Sequence, residues 1–403
     1  MFASLSLACS FNTGGLSSSD STNATAGSDS ETSSSTGSTG STGAGASTAA
    51  VDTTSAGTTG AALDPWRRKI GFLNAGGVAP LLDFPVPVAL TPAEIDALGD
   101  AGGEDLRFLD SDGLTVLAHE IERWDPERGA LIWVLVPEVE LSDEDFIWMH
   151  GGELAAAPGE APAEVWDDDY ALVLHMSDDP GDGSLAARNT AGAHDAAYQG
   201  GMDSTNQTKG TVGGAFVLDG EADFLSVPAA LSTDVWTGLT VSAWVRHDID
   251  DDDRIVCKSP TTTPEEHVFS IGLVLNEALR VRLATDGEGG LYAEHDVFAG
   301  VVPVGDWAHV AFTWDGARDR LVIAVNGTVV REAVHGGETL LDSQELITIG
   351  NVNGYDLAVN NRLFSGAIDE LRVSSVARAD HWLTAQARVM DGSMLEYGAI
   401  ELL

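Results

Sequence analysis

Val304–Asp315 reads VGDWAHVAFTWD, Leu321–Val330 reads LVIAVNGTVV, and Phe364–Val373 reads FSGAIDELRV. In the first segment, the apolar residues Val310, Phe312 and Trp314 alternate with residues of the opposite face, which is the pattern of a strand with one buried side. The second segment alternates in the same way up to Asn326-Gly327, a dipeptide that supplies the two positive-φ residues of a tight hairpin. These segments predict an antiparallel, all-β fold.

Two segments further towards the N-terminus extend this series. Ala215–Pro228 reads AFVLDGEADFLSVP, and Leu239–Val245 reads LTVSAWV. In order and spacing, the series resembles the laminin-G-like, concanavalin-A-type jelly roll of secreted and surface proteins, over about Trp166 to Arg388. The resemblance implies a β-sandwich that recognises a glycan or a protein, and it implies one structural calcium ion.

The composition limits the partners. The 403 residues include 20 basic and 63 acidic side chains, for a formal net charge of −43. Nucleic acids and anionic membranes both require a positive surface, so neither is expected as a partner. The sequence also lacks the roughly 18 consecutive apolar residues that a membrane helix needs. Its two cysteines form no C-x-x-C pattern, which argues against a zinc finger or a thioredoxin-type site.

The N-terminus resembles the end of a bacterial lipoprotein signal peptide. Leu5-Ser6-Leu7-Ala8-Cys9 has the small residue and the leucines of a lipobox, although the basic region and most of the apolar region are missing. We therefore predict a truncated signal at 1–9, lipidation at Cys9, and anchorage to the outer membrane. Residues 10–63 are rich in Ser, Thr and Gly and are predicted to be a disordered tether. The alternatives are an accidental resemblance and an inert tail.

Two ordered domains are predicted after the tether. Residues 64–153 resemble a domain of unknown function that often precedes laminin-G-like domains, with a short helix at Thr91–Leu98 that starts with Thr-Pro-Ala-Glu. Residues 154–164 form an Ala/Pro-rich linker, 165–390 the jelly roll, and 391–403 a C-terminal tail, with a short helix at His381–Arg388. We expect each domain to fold alone unless a large apolar interface joins them.

Catalytic motifs are missing from the sequence. Glycosidases of this fold place two carboxylates on one strand in an E-x-D-x-x-E pattern, and the closest match, Glu221-Ala222-Asp223, lacks the second glutamate. His119-Glu120 lacks the second histidine of the zinc-protease motif H-E-x-x-H. The sequence therefore predicts a protein that is not an enzyme.

Calcium is the cofactor that the sequence favours. Asp219 and Asp223 lie in the acidic turn DGEAD, and Asp369 lies in a late strand, at a position where the resemblance implies a ligand. Calcium prefers several carboxylate and carbonyl oxygens from loops, so we predict one structural ion held by these three residues. The alternative is an ordinary Asp-Gly turn without metal, with Asp369 paired to Arg372.

Tryptophans give the candidate ligand contacts. Trp244 and Trp314 alternate within strands and are predicted to be core residues, whereas Trp236 precedes a strand and is predicted to be an exposed platform for a sugar. The sequence thus predicts two β-sandwich domains on a tether, in a non-catalytic protein of the cell envelope that binds an extracellular glycan or protein. The alternative is a structural component of envelope assembly without a small ligand.

Overall fold

The computed structural model describes residues 65–98, 103–152, 160–228, 232–233, 235–259, 267–287, 297–341, 345–352 and 362–403. The predicted lipidation site Cys9 and the predicted tether at 10–63 lie outside these residues. Within the described ranges, no helix is long and apolar enough to cross a membrane. The described part belongs to one compact unit.

Antiparallel strands make up most of the described chain. In chain order the strands are β1 (Trp66–Phe72), β2 (Leu81–Leu90), β3 (Arg107–Leu109), β4 (Val116–Leu117), β5 (His119–Asp125), β6 (Gly129–Val139), β7 (Phe146–Gly151), β8 (Tyr170–Leu174), β9 (Ala186–Ala187), β10 (Ala196–Gln199), β11 (Gln207–Lys209), β12 (Gly214–Asp219), β13 (Phe224–Val227), β14 (Gly238–His247), β15 (Arg254–Lys258), β16 (Phe269–Val274), β17 (Ala278–Leu283), β18 (Val297–Val301), β19 (Ala308–Asp315), β20 (Arg320–Val325), β21 (Thr328–Val334), β22 (Ile347–Ile349), β23 (Ser365–Ser374) and β24 (Leu395–Leu402). The α-helices are α1 (Pro92–Leu98), α2 (Pro162–Val165) and α3 (Asp380–Met390). The predicted all-β class is confirmed.

The N-terminal sandwich consists of two sheets. One has the order β24-β1-β7-β3-β4 and the other the order β2-β6-β5. The central strand β6 is covered on both faces, because Ile132, Trp133 and Val134 are all fully buried. These residues belong to a hydrophobic cluster, here called the N-terminal core, that also contains Phe72 and Phe84.

The C-terminal sandwich has two larger sheets. Their orders are β18-β17-β16-β15-β22-β13-β10-β9 and β11-β12-β23-β14-β19-β20-β21, and β8 also pairs with β23 in the second sheet. Phe216, Phe269 and Phe312 lie in the cluster between them, here called the C-terminal core. The predicted hairpin is confirmed: Asn326 and Gly327 have φ of 49° and 70° between the paired strands β20 and β21.

The two sandwiches share strands and core residues. Residues 395–402 of the predicted tail form β24, which pairs with β1 at the other end of the chain. On β14, Val245 faces the C-terminal core, whereas the neighbouring Trp244 packs in the N-terminal core. Trp166, Tyr170 and Trp382 join Trp244 there. The outer face of the large C-terminal sheet is therefore covered by the N-terminal sandwich.

Both predicted helices are confirmed; α1 has a local cause, and α3 is held by a tertiary contact. At α1, the backbone N–H of Thr91 donates to Glu94 Oε2 at 2.7 Å, and the Glu94 N–H donates to Thr91 Oγ1 at 3.3 Å, forming a capping box. At α3, Trp382 packs edge-on against Phe84 of β2, with ring centroids 4.8 Å apart. The helix α3 therefore connects the C-terminal sandwich to the N-terminal core before the chain enters β24.

Candidate functional site

Trp236 does not form the exposed platform that the sequence predicts. Its side chain is only 9% exposed and belongs to the C-terminal core. Its backbone also joins two loops, because the Leu340 N–H donates to the Trp236 carbonyl at 2.8 Å. Trp244 and Trp314 are buried, as predicted.

Replacing Trp236 is expected to lower the stability of the fold, in addition to any effect on ligand recognition. Truncation of a buried tryptophan to alanine removes its packing and leaves a cavity, so Trp236→Ala should lower the free energy of unfolding by about 3 kcal/mol or more. Urea denaturation measures this loss. Trp148→Ala is the matched control, because Trp148 is partly exposed and a smaller loss is expected. An unchanged unfolding midpoint for Trp236→Ala would contradict the buried position.

The three predicted calcium ligands are not brought together. Asp219 pairs with Ser365 of β23, four residues before Asp369, and at about 3.3 Å per residue this is roughly 13 Å along the strand. Asp219 Oδ1 accepts backbone N–H groups of its own turn, from Glu221, Ala222 and Asp223, at 2.8 to 3.0 Å. This geometry does not support a single ion shared by Asp219, Asp223 and Asp369, and the acidic turn is stabilised by its own backbone.

Asp369 lies instead beside a β-bulge in β23. Ile368 and Leu371 both face the C-terminal core, so the alternation of the strand shifts by one residue between them. Glu370 has a left-handed φ of 50°, which is uncommon for a residue with a side chain, and the pairing register with β14 shifts at this place. The bulge therefore turns two consecutive acidic side chains, Asp369 and Glu370, away from the C-terminal core.

A break between two neighbouring strands brings His175 to the same place. Two strands pair with the same edge of β23. The strand β12 pairs with β23 up to Ile368, and β8 pairs with it from Leu371 onward. The chain leaves β8 at Leu174, so the next residue, His175, lies beside the bulge. His175 Nδ1 is 2.8 Å from Glu370 Oε1.

Strand β5 of the N-terminal sandwich supplies two further carboxylates. Glu120 and Glu122 lie on either side of Ile121, where the pairing of β5 with β6 shifts in register, and both carboxylates approach His175. Glu122 Oε2 is 3.6 Å from His175 Nδ1, and Glu120 Oε2 is 3.5 Å from His175 Nε2. The imidazole of His175 thus lies among three carboxylates from both sandwiches.

Hydrogen bonds fix each of these groups. Glu122 accepts from the indole N–H of Trp133 at 2.7 Å and from the hydroxyl of Ser177. Glu120 accepts from Trp166 Nε1 and from Arg188, both at 2.8 Å. The second carboxylate oxygen of Glu370, Oε2, accepts from the guanidinium of Arg372 at 2.8 Å. This guanidinium also lies 4.5 Å from the centre of the Trp133 ring.

Glu120, Glu122, His175 and Glu370, with the side chains hydrogen-bonded to them, are here called the cluster. Burial and neighbouring charge set its protonation. Burial would lower the pKa of His175, but the charges of Glu370 and Glu122 raise it well above its ordinary value. Burial raises the pKa of Glu122 to about 7 despite the nearby His175. Burial, with the charge of Glu370, raises the pKa of Asp369 well above its ordinary range. These shifts favour the protonated forms of His175, Glu122 and Asp369.

Three of these residues can hold a metal ion. The ligand atoms of Glu122, His175 and Glu370 all lie within 4.8 Å of one another. The side chains are almost completely buried, with exposed fractions of 2%, 5% and 0%.

A pocket of about 630 Å³ opens beside this cluster, where β5 meets β11. Glu122 and Ser177 belong to both the cluster and the pocket wall. The described residues that line it are all polar or glycine: Glu122, Arg123, Arg128, Ser177, Gln207, Thr208, Lys209, Gly213 and Gly214. We call this cavity the junction pocket.

Sequence reasoning missed Glu120, Glu122, His175 and Glu370 as site residues. A partial signal was present in the alternation of His119-Glu120-Ile121-Glu122 and of Glu370 with Arg372, since residues two apart on a strand share a face. The sequence contained no signal that β5, β8 and β23 meet, because these strands are far apart along the chain.

A comparison with solved structures finds chains that resemble part of this one. Solved structures that resemble the chain include the binding domain of botulinum neurotoxin DC in complex with rat synaptotagmin II, with 14% identity, 55% of this chain and 52% of that chain covered, and a TM-score of 0.39. A heptameric SAP-like pentraxin from Limulus polyphemus has 18% identity, 39% of this chain and 73% of that chain covered, and a TM-score of 0.31. The chain thus spans about half the length of the toxin binding domain. No curated protein matches the chain.

Two family models match parts of the chain. Residues 219–383 match the model described as the concanavalin A-like lectin/glucanases superfamily, and residues 102–178 match the domain of unknown function DUF2341. Glu120, Glu122 and His175 lie in the second match, and Glu370 lies in the first, so the buried cluster spans both. The chain therefore contains a concanavalin A-like domain at 219–383, preceded by a DUF2341 domain at 102–178.

Proposed function

We propose that this protein is a non-catalytic recognition protein that binds a glycan in the junction pocket. The observation that carries the proposal is the lining of that pocket, which consists entirely of polar side chains and glycines among the described residues. These side chains combine hydroxyl, amide and charged groups with aliphatic carbon, so the wall presents polar and apolar surface in similar amounts. Such a wall suits a sugar, which presents hydroxyls together with apolar C–H groups.

The charge of the pocket suggests the class of glycan. Arg123, Arg128 and Lys209 line it, whereas Glu122 is the single acidic residue among its described lining residues. In a chain with 63 acidic and 20 basic residues, such a group of cations is unusual. Arg128 is partly neutralised by Asp125, but Lys209 lies exposed on β11. The pocket therefore favours a sugar that carries a carboxylate.

The acidic residues near the junction pocket favour a binding site over a glycosidase site. A glycosidase places two carboxyl groups about 5 to 9.5 Å apart on either side of the substrate bond. Glu370, whose carboxylate lies within 4.8 Å of Glu122, is fully buried and is held by His175 and Arg372. Among the described residues, no second carboxylate lines the junction pocket. Because the superfamily also includes glucanases, turnover is measured in the same experiment.

The test uses the full chain and a panel of neutral oligosaccharides and oligosaccharides with uronic or sialic acid, with binding measured by calorimetry. We expect acidic members to bind and Lys209→Ala to weaken that binding about tenfold, because a charged hydrogen bond contributes roughly 1.5 kcal/mol or more. Arg331→Ala is the matched control, since this exposed arginine of β21 lies outside the pocket lining and its loss changes the net charge equally.

Three outcomes would oppose the proposal. Binding that is lost equally in Arg331→Ala would indicate general charge attraction. Absence of binding by every glycan would favour the second candidate, a structural component of envelope assembly. Hydrolysis that disappears in Glu122→Gln would make the protein an enzyme.

The proposal includes a location in the cell envelope, with a lipid on Cys9. It is supported by the lipobox-like sequence before Cys9 and the Ser/Thr/Gly-rich segment after it. Metabolic labelling of a bacterial host with a fatty-acid analogue should modify the protein when a signal peptide is fused before Leu5. A Cys9→Ser variant should carry no label, and equal labelling of both proteins would contradict the anchor.

A further inference from the structure

We infer that Glu122, His175 and Glu370 form a binding site for a divalent transition metal of the zinc type, which joins the two sandwiches. The inference is independent of glycan binding. Glu122 comes from the N-terminal sandwich, whereas His175 and Glu370 come from strands or strand ends of the C-terminal sandwich. A single ion would therefore have ligands from both.

The spacing of the ligand atoms is close to that of a metal centre. In a tetrahedral zinc site with bonds of about 2.0 to 2.1 Å, two ligand atoms lie about 3.4 Å apart. His175 Nδ1 and Glu122 Oε2 are 3.6 Å apart, which already fits. His175 Nδ1 and Glu370 Oε1 are 2.8 Å apart and must separate by about 0.6 Å when an ion replaces the shared proton.

The donor types select among metals. Calcium and magnesium prefer sites made entirely of oxygen ligands, with six or more of them. An imidazole nitrogen with two carboxylates suits zinc and its neighbours in the first transition series. The cluster thus differs in metal class from the calcium site expected from the sequence.

The surrounding groups are those that hold metal ligands in place. Zinc-bound histidines commonly donate their second ring N–H to a carboxylate, and Glu120 Oε2 lies 3.5 Å from His175 Nε2. Glu122 is held by Trp133 and Ser177, and Glu370 is held by Arg372. Each candidate ligand therefore already has a partner that fixes its orientation.

A further buried acidic residue, Asp369, lies within electrostatic reach of Glu122 and Glu370. Asp369 is completely buried, and its Oδ1 atom has no hydrogen-bond partner within the described part of the chain. Its Oδ2 atom accepts the backbone N–H groups of Thr211 and Val212 at 2.7 and 3.0 Å. An unpaired buried carboxyl oxygen is costly, and a nearby cation would offset that cost. The junction pocket offers a path for the ion, because Glu122 and Ser177 line it.

The experiment measures metal content and affinity in the full chain after removal of any affinity tag and of bound metals by a chelator. Zinc is titrated by calorimetry, and cobalt(II) serves as a spectroscopic probe of four-coordinate geometry. We expect one zinc per chain, a higher melting temperature with zinc, and no comparable effect of calcium. Glu120→Gln should weaken zinc binding about 10- to 100-fold through the orientation of His175.

Glu122→Gln is the decisive variant, because glutamine has nearly the same shape, and its amide can accept from Trp133 and donate to the hydroxyl oxygen of Ser177. We expect its affinity for zinc to fall by about 100-fold or more, beyond the effect of the Glu120 variant. The double variant Asp219→Asn/Asp223→Asn is the matched control and should bind zinc like the natural chain. Equal zinc binding by Glu122→Gln and the natural chain, or no zinc in either, would overturn the inference. Loss of zinc in the control alone would also overturn it. Glycan binding is measured separately and does not enter these outcomes.

Discussion

Fragments 65–152 and 164–403 are expected to fail to fold when each is produced alone. The first fragment lacks β24, the partner of β1, and the second exposes four aromatic residues of the N-terminal core: Trp166, Tyr170, Trp244 and Trp382. An aromatic side chain buries about 150 Å² or more, so four of them represent an upper estimate of about 15 kcal/mol at roughly 25 cal/mol per Å². This equals or exceeds the 5–15 kcal/mol by which a whole domain is stable.

Circular dichroism and size-exclusion chromatography of each fragment measure this outcome, and aggregates or unfolded chains are expected. The matched control is the full chain with a protease site inserted at 153–159. After cleavage, the two pieces should stay together as one folded complex, because the cut leaves β24 and the shared core intact. Two monomeric, folded fragments would contradict the shared core and restore the independent domains expected from the sequence.

Arg372→Met is expected to lower the free energy of unfolding by about 3–5 kcal/mol. The substitution removes the cation that donates to Glu370 Oε2 and leaves a carboxylate with one partner fewer in a fully buried place. Breaking a buried ion pair by removing one partner has a cost of this size, because the remaining charge stays desolvated. Urea denaturation followed by tryptophan fluorescence measures the change.

Arg188→Met is the matched control for this prediction. Arg188 also donates to a buried carboxylate, Glu120, but its own side chain is 55% exposed. Solvent screens such a pair, and water can replace the lost donor, so a loss of about 1 kcal/mol or less is expected. Equal losses in both variants would show that the depth of burial does not decide the stability of the cluster.

The sequence by itself determined the local structure. Alternation in the segment around Phe312 places one face of β19 in the core, and Asn326-Gly327 forms the hairpin because both residues accept a positive φ. The helix α1 begins where Thr91 and Glu94 satisfy each other's backbone N–H groups. These features depend on residues within a few positions of one another, so their spacing is sufficient to predict them.

The tertiary structure decided the site. The bulge at Glu370 turns Asp369 and Glu370 to the same side, although strict alternation would have placed them on opposite faces. Trp236 is buried, although its position before a strand suggested exposure, because loops from elsewhere in the sandwich cover it. His175 meets Glu122 and Glu370 only when β5, β8 and β23 pack together. A strand's own residues set which side chains share a face, but pairing and packing between strands distant along the chain set which faces meet.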